Sequence, residues 1–125
     1  KLLLSQDDID LNHADPETGR TPLMEAVREG HEEMMLLKQV DLDAQSPLTQ
    51  WTPLFYAAES GHSNIIEMLL QTGQVDVNKR DHEGHTALMI AAYYGRTPAI
   101  KALLASPRID IMAKDNDDMT AYNHA

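Results

Sequence analysis

Trp51-Thr52-Pro53-Leu54-Phe55-Tyr56-Ala57-Ala58 opens a stretch that closes at Gly61, and its reading decides the fold. Thr ahead of Pro is a helix N-cap followed by a residue suited to the first helical position. Leu54, Ala57 and Ala58 share one helical face at i, i+3, i+4. The two alanines are small, which lets helices approach closely. Gly61 suits the left-handed conformation that ends a helix. A second helix follows, with Ile65, Ile66, Leu69 and Leu70 on its apolar stripe. Val75-Asp76-Val77-Asn78 then alternates like a short strand and leads into a turn at Asp81-His82-Glu83-Gly84. One unit is thus a helix pair plus a hairpin-like finger.

The unit recurs. Arg20-Thr21-Pro22-Leu23-Met24-Glu25-Ala26-Val27, His85-Thr86-Ala87-Leu88-Met89-Ile90-Ala91-Ala92 and Met119-Thr120-Ala121-Tyr122-Asn123-His124-Ala125 align with it. The four threonines lie 31, 34 and 34 residues apart. Gly30, Gly61 and Gly95 follow the first three segments, and the triplets Ile9-Asp10-Leu11, Val40-Asp41-Leu42, Val75-Asp76-Val77 and Ile109-Asp110-Ile111 recur in step. A unit alone leaves one helical face wet, so neighbours must stack.

These segments resemble the ankyrin repeat, with its period of about 33 residues and its Thr-Pro-Leu-His-x-Ala signature. The resemblance covers nearly the whole chain. It implies an all-α solenoid of stacked helix-turn-helix units with finger loops. The expected division is a partial repeat at 1–18, a shortened repeat at 19–49, repeats at 50–83 and 84–117, and the start of a further one at 118–125.

The departures carry expectations of their own. Met24, Phe55, Met89 and Asn123 stand where the signature has His, so apolar packing is expected to replace the usual His-to-Thr hydrogen bonding. The first full repeat is three residues short between Leu36 and Val40, which predicts a second helix nearly one turn shorter. Gln50 and Asp118 replace the turn Gly in two fingers, whose turns are expected to differ in shape.

Composition narrows the function. The chain has 125 residues, no Cys, and 10 Lys+Arg against 20 Asp+Glu. Thiolate chemistry and a disulfide framework are excluded. A duplex-binding surface needs a basic patch, and here the best is Lys79-Arg80 beside Asp81, so no nucleic acid partner is expected. A basic or neutral protein surface fits better. No apolar run reaches the ~18 residues of a membrane span. Lys1-Leu2-Leu3-Leu4-Ser5 is too short for a signal peptide. The expectation is a monomeric module of a longer intracellular protein, in cytoplasm or nucleus.

The resemblance also implies a partner in a concave groove lined by finger tips and first helices. The positions matching that groove include Arg20, Trp51, His85 and Met119 ahead of the threonines. They also include Arg28, Glu59, Tyr93 and Tyr94 ahead of the glycines, and Glu25, Tyr56 and Ile90 within the first helices. Trp51, Tyr56, Tyr93 and Tyr94 are the expected anchors, because aromatic side chains dominate interface hot spots. Arg20 and Arg28 can also pair with Glu17 and Glu25.

Catalytic chemistry has no support in the pattern. There is no phosphate loop, nucleophile elbow or Ser/His/Asp arrangement. His82 and His85 are three apart in a turn, not in the His-Glu-x-x-His helical pattern, and no third ligand is evident, so neither metal nor cofactor is expected. Asn78 and Asn12 each follow a Leu by eight residues, a spacing similar to ankyrin-repeat asparagines hydroxylated by 2-oxoglutarate oxygenases. The competing role for both is to tie the finger through side-chain hydrogen bonds. The expected function is a non-catalytic protein-protein interaction module. The alternative is a recruitment or autoinhibitory domain of a larger enzyme.

Overall fold

The computed structural model describes residues 12–32 and 40–124. Six helices form among them: α1 (Pro22–Arg28), α2 (Pro53–Ser60), α3 (Ser63–Gln71), α4 (Ala87–Tyr93), α5 (Thr97–Leu104) and α6 (Ala121–His124). The first helices make one layer, in which α1 packs on α2, α2 on α4 and α4 on α6. The second helices make the other, with α3 against α5. Each repeat closes on itself through α2 with α3 and α4 with α5. The expected all-α helix-turn-helix solenoid is what the chain adopts, with no strand among the described residues.

The core is the strip between the layers. Leu54, Ala57, Ala58, Ile65, Ile66 and Leu69 are sealed from solvent, as are Met89, Ala91, Ala99 and Leu103 of the next unit. Leu70 is only partly buried and packs on the edge of this cluster. Gly61 caps α2 at φ 77°, the left-handed backbone its sequence position calls for. The short second helix expected between Leu36 and Val40, with Met34 and Met35, lies outside the described residues, as do Leu2 to Leu4.

Three expectations are corrected. Val75-Asp76-Val77-Asn78 is not a strand. The Asn78 N–H turns back onto Asp76 Oδ1 at 2.9 Å, which bends the chain. The same turn recurs at Asp41 with Asp43 and at Asp110 with Met112. The fingers with Gln50 and Asp118 do not change shape at that position: both residues take φ 65°, beside Gly19 at 74° and Gly84 at 81°. The close of each finger onto the next helix requires that backbone, and these two side chains accept its strain. Apolar packing does not simply replace the missing His. The Met24 and Met89 sulfurs accept the N–H of Thr21 and Thr86 at 3.4 and 3.5 Å. Asn123 Oδ1 accepts both the N–H and the hydroxyl of Thr120. Phe55 has no acceptor, and Thr52, unlike Thr21 and Thr86, makes no side-chain cap bond.

Candidate functional site

Stacking places the residue ahead of each Thr beside the finger of the following unit. Trp51 Nε1 donates to Asp81 Oδ2 at 2.9 Å. One repeat on, His85 Nε2 lies 3.3 Å from Asp115 Oδ2. The two aspartates are equivalent. Each uses Oδ1 to hold its own turn, Asp81 through the N–H of Glu83 and His85, and Asp115 through the N–H of Asp117 and Met119. Each therefore presents Oδ2 to the preceding repeat. Ser46 occupies that position in the finger after Arg20 and offers no carboxylate. Arg20 turns instead to Glu25 Oε2 at 2.6 Å.

Between these fingers and the first helices lies an apolar-lined cleft of about 370 Å³. Trp51, His85, Ile90, Tyr93 and Tyr94 all line it, with Asp81, Glu83 and His124 at its polar end. Tyr93 and Tyr94 are 67% and 45% exposed and meet edge to face, with ring centroids 5.0 Å apart. Two of the four expected anchors are therefore open to a partner.

The other two differ. Tyr56 was expected to be semi-exposed and is buried, with 5% of its surface accessible. Burial pushes its phenol above the usual tyrosine value. Trp51 is half-buried, stacked on Phe55 and edge-on to Tyr56. For Trp51 the reason is Phe55: where the family has His, a large ring offers Trp51 a local apolar surface to cover. Ile90, also expected to be semi-exposed, is 7% exposed.

The remaining groove positions scatter. Glu25 takes both arginines, with Arg28 at 3.7 Å. The hydrogen bond to Glu25 raises the Arg20 guanidinium above its already high value. Glu17 joins neither arginine; its N–H bonds to Asp15. The Glu59 carbonyl accepts from Arg96 Nε at 2.8 Å, as the Arg28 carbonyl bonds His62 Nε2 at 3.2 Å, so these second-helix residues close the preceding repeat's first helix. Met119 is exposed at the far end of the groove.

Asn78 Oδ1 accepts the N–H of Asp110 at 2.8 Å, and its Nδ2 donates to the Arg108 carbonyl. Asn12 Oδ1 accepts the Asp41 N–H at 2.7 Å. Asp43 does the same for Asp76 at 3.3 Å. Both asparagines thus carry a finger-to-finger bond that Asp supplies in the intervening repeat.

Sequence reading missed what surrounds His85. No third ligand to join His82 and His85 is evident in the sequence. His82 instead bonds the Thr49 carbonyl through Nδ1. The fold brings Asp115 from the following finger and His124 from the next unit to His85, and His124 Nε2 lies 2.9 Å from Asp115 Oδ2. The available signal was the repeat register: His124 occupies the helix position of Tyr56 and Ile90, which faces the position ahead of each Thr. Burial alone would push the Asp115 carboxyl up; the Met119 and Asp117 N–H groups and His124 outweigh it and hold the carboxyl below its usual value.

Comparison with known families agrees with this geometry. A family model described as three copies of ankyrin repeats matches residues 34–115. A single ankyrin-repeat model matches residues 18–47. No curated protein matches the chain in sequence.

Proposed function

The chain belongs to the ankyrin-repeat family, and on that premise we propose that it is a non-catalytic module that seats a partner peptide or protein segment in the cleft beside Tyr93 and Tyr94. Ankyrin repeats are in general protein-protein interaction modules. The observation that carries the specific reading is the cleft itself: about 370 Å³, apolar in lining, and flanked by two exposed tyrosines on a rigid helix end. A concave apolar site with a few polar groups at one end is the usual form of a recognition pocket.

Charge points to the kind of segment. The protein carries a formal charge of -10, and Glu83 and Asp81 sit at the end of the cleft. A segment with an apolar side chain for the cleft and Lys or Arg beside it complements both features. Tyrosine supplies large contact area with little entropy to lose, which suits Tyr93 and Tyr94 as anchors. Trp51 supports the wall more than it reaches outward.

Selection from a random displayed peptide library, followed by hydrogen exchange with the best peptide bound, tests this reading. Protection is expected in Asp81–Tyr94. Protection confined to α3 and α5 would overturn it.

A further inference from the structure

We propose that His85, Asp115 and His124 form a binding site for a divalent transition-metal cation, with Zn²⁺ the best match, that clamps the third full repeat to the unit after it. The three donor atoms, one per residue, all lie within 4.8 Å of one another. Asp115 Oδ2 is 3.3 Å from His85 Nε2 and 2.9 Å from His124 Nε2. Donors around a tetrahedral zinc sit about 3.4 Å apart, since each is about 2.0–2.1 Å from the metal. Small side-chain shifts therefore complete three corners of a tetrahedron. Two imidazoles and a carboxylate suit zinc, and they do not suit Mg²⁺ or Ca²⁺, which take oxygen donors.

The surroundings also suit a metal site. Carboxylate oxygens face both nitrogens of His85: Asp81 Oδ2 at 3.4 Å and Glu83 Oε1 at 3.5 Å from Nδ1, and Asp115 Oδ2 from Nε2. A neutral imidazole has one N–H and can donate to one side only. With a cation on Nε2, the proton sits on Nδ1 and points to Asp81. That is the carboxylate-histidine-metal relay that orients zinc ligands elsewhere. Asp81 is itself held by the Trp51 indole N–H. Asp115 has Oδ1 fixed by two backbone N–H groups, which leaves Oδ2 aimed between the rings. His85 and His124 both line the cleft, so the fourth coordination position opens toward it, available to water or to a donor from a bound segment. The site draws on three residues that no single repeat contains.

The test is Zn²⁺ titration by calorimetry of protein stripped with a chelator, beside the same titration of variants whose fold is checked by circular dichroism. One Zn²⁺ per chain at micromolar affinity or tighter is expected, with a rise in thermal midpoint. His124→Gln and Asp115→Asn should each weaken binding by at least about tenfold, and Asp81→Asn by about 10–100-fold through the outer contact. His31→Gln, on an exposed turn, should leave it unchanged. Co²⁺ in place of Zn²⁺ should give the visible absorption of a tetrahedral centre. Binding weaker than about 100 µM, or affinity unaffected by His124→Gln, would overturn the proposal. Peptide binding measured on metal-free protein reports on the cleft separately, so the two readings can fail independently.

Discussion

Gln50 holds φ 65° in a turn that two of its sister fingers build with Gly19 and Gly84. The left-handed region costs a side-chain-bearing residue about 1–2 kcal/mol, partly offset by glycine's greater freedom when unfolded. Gln50→Gly should therefore raise stability by about 1 kcal/mol in urea unfolding. Asp118→Gly should gain less, since Asp tolerates this region better. Asp115 adds a pH signature. Its carboxyl is held below the unfolded value of 3.8. The stabilisation is complete above the unfolded value and is lost as pH falls through the folded one. Asp115→Asn should flatten the loss of thermal midpoint below about pH 4, and an unchanged acid limb would remove Asp115 from the account.

At the scale of elements, the first helices carry most of the described core: α2 and α4 are buried along most of their length, whereas α3 and α5 each bury one stripe. Ile66 in α3 has no exposure, whereas Leu104 at the end of α5 is 48% exposed. Ile66→Ala should cost about 2–5 kcal/mol, and Leu104→Ala about 0.5 kcal/mol, by chemical denaturation. The helix pairs were readable from sequence because the apolar period, the threonines ahead of the first helices and the glycines after them all agree. The fingers were readable in place but not in detail. The strand reading of Val75 to Asn78 failed because alternation of side chains is shared by an extended strand and a chain bent by an Asp side chain. Asp76 bonding to the Asn78 N–H decides the matter, and that bond leaves no trace in the hydropathy pattern.

At the scale of the whole molecule, register between repeats decides which residues meet. Equivalent positions predicted a shared groove face, and Trp51, His85, Tyr93 and Tyr94 do line one cleft. The family pattern could not foretell that Trp51 would pack locally on Phe55 and Tyr56. Nor were Asp115 and His124 evident as neighbours of His85, since they lie 30 and 39 residues beyond it. We propose the cleft flanked by Tyr93 and Tyr94 as the recognition site. The most direct test is the affinity of a library-selected peptide for the Tyr93→Ala/Tyr94→Ala double variant. Because both rings are exposed, the variant should keep its thermal midpoint. Its Kd should rise about 30-fold or more, the loss of about 2 kcal/mol that an aromatic anchor contributes. Equal affinity in a folded variant would contradict the claim.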